Sequence, residues 1–467
     1  MLKSAIYSSC TARMHSIGGE LHTGTMESTI SLKTGAWSGD TPVDLQFPAG
    51  WEVNVLWPLT PPPLTAAEMA GILEQPVGQA SVTELCKGKS RPLIIVDDMT
   101  RPTPASEVMP LLIRSICAAG IPVDAITILM ATGTHGKPRS DAFLKKVGNE
   151  AEPCRLLVHD CFTDVKRIGT TTNGTPVFVN KAILGSDVVI GVGGIYPNSP
   201  AGFGGGSKLV LGVLGISTIY HLHFRHEAIS WGDTNTDTVF RRELDEIAKM
   251  IGMESTVSVI IDANRSIIKM YCGDPRRYFP EAISFYHETF CTLKHDDVDV
   301  VISNTYPNDS YLTFAKMKGF VPLDNCKRCV SRIAIASCNE GLGLHNIWPL
   351  VNPPQFHKVK HILRLLSVMP FRKIVGKICH VSQRALSARL NKYLSVQHHE
   401  SDDKKPLNPI WLYRTGDQSV ELPPRVPGIN VTEDWHDILE AVSKEQSHRV
   451  NLKVIVYPCA FLQIPKG

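Results

Sequence analysis

A chain of 467 residues is too long for one ordinary hydrophobic core and predicts two or three domains. Hydrophobic residues at 43%, charged residues at 20% and a formal net charge of +3 describe a globular protein with no general affinity for polyanions. No run of about 18 uncharged apolar residues reads as a membrane span, no zinc-finger spacing or basic arm points to nucleic acid, and MLKSAIYSSCTARMHSIGG lacks the apolar core of a secretory signal. Twelve cysteines scattered along the chain fit thiols in a reducing compartment, so a cytoplasmic protein is expected.

In chain order, residues 1–40 read as an irregular arm. In PPPLTAAEMAGILEQP, Thr65 and Glu68 have the spacing of a capping box at a helix start. RPLIIVDD is a short β-branched run ending in acids, as expected of a buried strand. PASEVMPLLIRSICAAG repeats its apolar residues at helical spacing and stops at Gly120. AITILMATGTH, RLLVHDC and SDVVIGVGG each read as further buried strands with polar residues at their C-terminal ends. A second block begins near His295, with DVDVVISN, RIAIASCNEGLG and LKVIVYPC as strands and SQRALSARLNKYLSV as helical material before the charged HHESDDKKP. Strands alternating with helices predict an α/β protein: two α/β domains with mostly parallel sheets and an interdomain cleft, divided at 41–292 and 293–467.

Ligands of such sheets gather at the C-terminal ends of the strands. There the sequence puts Asp97, Asp98 and Arg101, then Thr132, Thr134 and His135, then His159 and Asp160, then Asn198 through Lys208. The last stretch contains AGFGGGSKLVLG. A Walker loop needs glycine directly before the lysine and Ser or Thr after it. Here Ser207 separates Gly206 from Lys208, and Leu209 follows. The third glycine of a dinucleotide fingerprint is also missing. Gly204, Gly205 and Gly206 still permit close approach of backbone to a ligand and can aim N–H groups at an anion. A lysine buried beside them would have a depressed pKa and a nucleophilic amine. Downstream, HLHFRH offers His221, His223 and His226 as imidazole ligands for zinc, copper, iron or nickel. Cys326 and Cys329 form a lone CxxC without a zinc-like partner pair, and read as structural.

The set DDMTRPTP, ATGTH, PNSPAGFGGGSK and TIYHLH, followed by YPNDSYLTFAK and SCNEGLG, resembles the nickel-dependent lactate racemase family from about PPPLTAAE to IVYPC. The resemblance implies a nickel pincer nucleotide, of the nickel pyridinium-3,5-bisthiocarboxylic acid mononucleotide type, tethered through a thioamide to Lys208. It also implies separate proteins that synthesise this cofactor, and a small 2-hydroxy acid as substrate. His223 matches the nickel ligand, with His221 as its rival. Asp98, Thr100 and Arg101 match a DxTR motif lining cofactor and substrate. Arg101 would pair with the substrate carboxylate, His135 matches an acid–base histidine, and Lys316 matches a pocket lysine from the second domain. Gly204–Gly206 would hold the cofactor phosphate. The implied reaction is reversible hydride removal from C2 while a base takes the hydroxyl proton.

The chain departs from that pattern in two places. Asn198 stands where the second catalytic histidine is expected, and an amide is not a base near neutral pH. Leu312 and Thr313 replace a Tyr-Gln pair before Lys316, and the stretch is one residue short. Three expectations follow: a racemase or epimerase in which His159, His226 or His345 serves the second face; a one-base hydride-transfer enzyme; or a protein that binds the cofactor or a related nucleotide without catalysis. Apart from the resemblance, the same residues fit an α/β nucleotide binder or a zinc hydrolase built on the HxH pair.

Overall fold

The computed structural model describes residues 28–350 and 408–466, apart from 140, 254, 294–296, 328, 349 and 450. The helical reading of SQRALSARLNKYLSV and the loop after it lie outside the described residues.

The first sheet is built around Pro92–Asp97, whose six residues are all buried. This is why PLIIVD is apolar throughout rather than alternating: both faces of the strand are covered. Leu93 and Ile95 point into one core and Ile94 and Val96 into another, giving helices on both sides. The strand order is Ile267–Gly273, Ser255–Ile261, Val188–Gly194, Pro92–Asp97, Thr127–Ala131 and Arg155–Val158. All neighbours are parallel except the antiparallel edge strand Ile267–Gly273. The helix Ala105–Ala118 buries Val108, Leu112 and Ile116 against this sheet, and Gly120 ends it with φ +89°, a conformation that favours glycine. The capping box forms: Thr65 accepts from Glu68 N, and Glu68 accepts from Thr65 N at 2.7 Å.

The second sheet runs Ile429–Thr432, Ile410–Arg414, Ser331–Ala336, Val300–Asn304, Lys453–Tyr457 and Glu52–Val55, with every pair parallel. Its last strand comes from the N-terminal part of the chain. So does a hairpin of Ser28–Thr34 with Thr41–Phe47, whose Leu32, Leu45 and Phe47 share a core with Val300, Ile302 and Val456. This corrects the expected boundaries. Residues 28–40 are not an irregular arm, and 41–55 pack with the second sheet rather than the first; residues 1–27 lie outside the described residues. The exchange runs both ways. Ile464–Lys466 pairs with Cys291–Leu293, and Cys459, Phe461 and Leu462 join the core of the first sheet. Non-local pairings of such short strands leave no periodic mark in the sequence.

Candidate active site

The central strand of the first sheet ends at Asp97, and a tight loop carries Asp98, Thr100 and Arg101. Buried Lys146 pins this loop from beneath. Its ammonium lies 2.7 Å from Asp97 Oδ1 and donates to the carbonyls of Asp98 (3.2 Å) and Arg101 (2.9 Å). Asp97 Oδ2 accepts from Thr103 Oγ1 at 2.5 Å and from Gly194 N at 3.0 Å, so two neighbouring strand ends are tied to one carboxylate. Above this base, Thr100 donates to Asp98 Oδ1 (2.7 Å) and accepts from Arg101 Nη1 (2.8 Å).

The other Asp98 oxygen, Oδ2, lies 2.6 Å from His135 Nδ1. His135 sits at the end of the next strand, in the ATGTH turn. Burial raises the Asp98 pKa, but the His135 contact, the Arg101 charge and the Thr100 hydroxyl outweigh it and hold the group well below the usual carboxylate range. Burial, with Arg101 and Lys318 nearby, lowers the His135 pKa although Asp98 opposes it. At neutral pH the pair is therefore a carboxylate and a neutral imidazole. Nδ1–H donates to Asp98, which turns the Nε2 lone pair outward as a base.

The second sheet contributes to the same spot. His135 and His345 form an antiparallel bridge, and their ring centroids are 5.2 Å apart. Phe314 stands edge-on to His135 at 4.6 Å and lies 5.9 Å from His345. His345 Nδ1 accepts from the backbone N–H of Ile347 (3.2 Å) and Trp348 (3.1 Å).

Lys208 lies in the 3-10 helix Gly206–Val213, directly after the glycine loop. Burial, then the charges of Arg101 and Arg241, push its pKa down to about 7. His223 lies on the helix Ile216–Arg225. Burial outweighs its bond to Ile219 O, and with the Lys208 charge nearby lowers its pKa to about 4. His223 Nδ1 donates to Ile219 O at 2.8 Å, which leaves the Nε2 lone pair for a metal. His221 is two residues away on the same helix, hence on another side, and its Nδ1 donates to Ser217 O at 2.7 Å. Of the two rivals, His223 is the one whose surroundings include Lys208 and His135.

The glycines have a plainer explanation than a phosphate cradle. Gly205 has φ +86° and a Cβ there would meet Ile195 Cγ1 at 2.7 Å; Gly206 has φ +56° and a Cβ would meet Phe279 at 3.1 Å. The N–H of Gly204 is already given to Tyr196 O at 2.6 Å. Beneath the loop is a cation that the sequence reading missed. Arg241 is buried, donates to Phe203 O at 2.6 Å and lies over the Phe279 ring at 4.0 Å, while its Nε has no partner among the described residues.

Other sequence-predicted residues fall elsewhere. Lys318, rather than Lys316, is the lysine that lies near His135. Phe314 and Lys318 are four residues apart on the helix Leu312–Gly319 and share the face toward His135, whereas Lys316 is on the opposite side. Lys318 is buried and its pKa falls well below the ordinary value through burial and then the charges of Arg101 and Lys208. His159 is fully engaged: Nε2 donates to Leu214 O (2.9 Å) and Nδ1 accepts from Asn180 Nδ2 (3.0 Å). His226 Nε2 pairs with buried Glu243. Asn198 lies in a two-residue strand opposite Gly202, buried, with Oδ1 unpartnered among the described residues. Cys326 bonds Pro322 O at 3.1 Å, a local contact. Among the described residues no three His, Cys, Asp or Glu side chains assemble as a metal site, so the zinc hydrolase built on the HxH pair gains no ligand set. No described helix is long and apolar enough to cross a membrane.

Residues 38–234 match the family described as the lactate racemase N-terminal domain. Two relatives named lactate racemase are similar in sequence. That of Thermoanaerobacterium thermosaccharolyticum is 27% identical over 281 residues, 58% of this chain and 65% of that protein. That of Lactiplantibacillus plantarum is 27% identical over 299 residues, 61% of this chain and 70% of that protein. The match thus spans just under two-thirds of the first relative's length. The structure of the lactate racemase apoprotein from T. thermosaccharolyticum superposes with a TM-score of 0.65 at 19% identity, covering 94% of this chain and 100% of that one. A Thermotoga maritima protein superposes with a TM-score of 0.54 at 14% identity, covering 87% and 100%.

Proposed function

We propose that the chain is a racemase or epimerase of a small 2-hydroxy acid, a reading supported by its similarity to the lactate racemase N-terminal domain over residues 38–234 and to the two proteins named lactate racemase. The observation that carries this reading is a neutral base and a nucleophilic lysine built into one wall: the Asp98–His135 pair beside Lys208 and His223.

The residues present fit a lysine-tethered nickel pincer nucleotide. The Lys208 amine, with a pKa near 7, is partly unprotonated at neutral pH and able to form an amide-type link. His223 is a neutral imidazole with its metal-binding nitrogen unengaged. Buried Arg241 has a donor to spare for an anionic group, and among the described residues no backbone bond takes the N–H of Gly205 or Gly206. Asp98 and Thr100 complete the wall beside them. The chemistry such a group supplies when bound is hydride acceptance and return at C2.

The chain's own residues do the rest. Arg101 and Lys318 put two donors where a carboxylate can be held, and Phe314 packs edge-on against His135 on the same helix face as Lys318. His135 Nε2 removes the hydroxyl proton as the C2–H bond breaks and returns it on the way back. Asp98 fixes the tautomer that makes this possible and stabilises the imidazolium.

A second reading is favoured by the histidines. Asn198 is an amide, and His159 and His226 are committed to protein partners, so one base is in place rather than two. A one-base hydride-transfer enzyme acting on one face fits that count. Chiral chromatography of a single C2-deuterated 2-hydroxy acid enantiomer after incubation with unlabelled 2-oxo acid separates the two: loss of optical purity belongs to a racemase, transfer of the C2 deuterium to the added 2-oxo acid with retention of configuration to the one-face enzyme. The tether is tested by intact mass of protein made together with the cofactor-synthesis proteins. An adduct absent from Lys208→Ala is expected; an unmodified wild-type mass would remove the tethered cofactor.

A further inference from the structure

His345 is the one candidate for the missing second base whose ring lies beside His135. It is also the wrong tautomer to be a base. Two backbone N–H groups, from Ile347 and Trp348, point at Nδ1 at 3.2 and 3.1 Å, so Nδ1 carries a lone pair and the ring proton sits on Nε2. No described protein group takes Nε2. The bridge to His135, the bond from Asn346 N to Thr134 O (2.9 Å) and that from Gly136 N to Leu344 O (3.1 Å) lock the two turns together. The rings, 5.2 Å apart with Phe314 against both, share one wall. Two bases serving opposite faces of a substrate must flank it, and neighbours on one wall do not.

From this geometry we infer that His345 Nε2–H is a hydrogen-bond donor to the C2 oxygen of the substrate, acting on the same atom whose proton His135 Nε2 accepts. The assignment rests on the 2-hydroxy acid reading above and adds how the C2 oxygen is recognised. The two nitrogens divide the work. His135 offers a lone pair to the O–H, and His345 offers a proton to the oxygen in both its hydroxyl and its carbonyl states. Proton transfer involves His135 alone; His345 keeps its proton throughout. Burial first, and then the cationic Arg101 nearby, hold the His345 imidazole neutral, consistent with that role. A 2-oxo acid isolates the donor, because its C2 oxygen can only accept.

The test compares pyruvate with propionate, which has the same carboxylate and no C2 oxygen, by ligand-observed NMR titration of the full chain. The wild type should prefer pyruvate by about tenfold, the scale of one hydrogen bond in a pocket. In His345→Asn the side-chain oxygen can still accept from the two backbone amides but the outward donor is gone, and the preference should fall to within about twofold. In His345→Gln an outward N–H remains and most of the preference should return. Ring ¹⁵N shifts should show Nε2 protonated in the free protein. An unchanged preference in His345→Asn at unaltered thermal midpoint, or an Nδ1–H ring, overturns this assignment alone. Failure of the wild type to bind pyruvate, lactate and propionate overturns the substrate reading and this assignment with it.

Discussion

At the scale of single residues, the site turns on which nitrogen of each imidazole carries a proton, and the neighbours decide that. Asp98 at 2.6 Å from Nδ1 leaves His135 its lone pair at Nε2, and Ile219 O leaves His223 its lone pair at Nε2. Asp98→Asn should therefore cost more than a charge. The new amide can donate to Nδ1, which moves the ring proton to Nε2 and removes the base. We expect kcat to fall by about 10²–10⁴, the range for loss of a general base, with the thermal midpoint little changed; a loss under tenfold would count against His135 as the base. The sign of the pH dependence follows from the lowered His135 pKa. The working form is the neutral ring, so kcat/KM should hold down to pH 6.5 and fall only below it. These tautomers were not legible in the sequence. ATGTH and DDMTRP put His135 and Asp98 at adjacent strand ends, but the bond between them depends on the parallel pairing of Pro92–Asp97 with Thr127–Ala131.

At the scale of an element, the helix Leu312–Gly319 shows why motif spacing misassigned a lysine. Counting from YPNDSYL puts Lys316 where a pocket lysine is expected, one residue short. The helix begins only at Leu312, and its inward face is fixed by Phe314 packing on His135. A helix turns 100° per residue, so the lysine on that face is Lys318. Replacing Lys318 with Met should weaken carboxylate binding at least about tenfold, as expected for loss of a charged hydrogen bond in a desolvated site. Lys316→Met should change it less than about twofold. Equal effects in the two titrations would mean that the face has been misread. The strands whose ends carry the site were legible, because continuous apolar runs bounded by polar residues identify buried parallel strands. Arg241 was not: FRREL reads as an ordinary helix surface, and only its packing under Phe203 and on Phe279 makes it a buried cation.

At the scale of the whole molecule, the two sheets are laced together by exchanged segments, and the wall of His135, Phe314 and His345 is assembled across them. The hairpin and strand of residues 28–55 complete the second core, and the C-terminal strand returns to the first. Unfolding of either part should therefore expose histidines that the fold buries neutral. His159 and His287 are buried, and burial outweighs their carbonyl partners to bring both down to about 4. The unfolded chain titrates near 6.5. As the pH falls through 6.5 the unfolded chain takes up protons that the folded chain refuses. Stability is thus fully present above that value and is lost progressively toward pH 4. For His159 alone the ceiling is about 3 kcal/mol. Carboxylates such as Asp98, held below their ordinary range, lose their contribution only further down, whereas in the window from 6.5 to 4 Glu107, Asp245, Asp309 and Glu340, raised by burial, act in the opposite sense to the histidines, so the variant below isolates the histidine part. Denaturant titrations across that window should show a falling free energy of unfolding. His159→Gln can retain an N–H for Leu214 O and cannot be protonated, so it should be less stable than the wild type at pH 7 but have a shallower fall. A slope identical to the wild type's would mean that His159 does not titrate as a buried group.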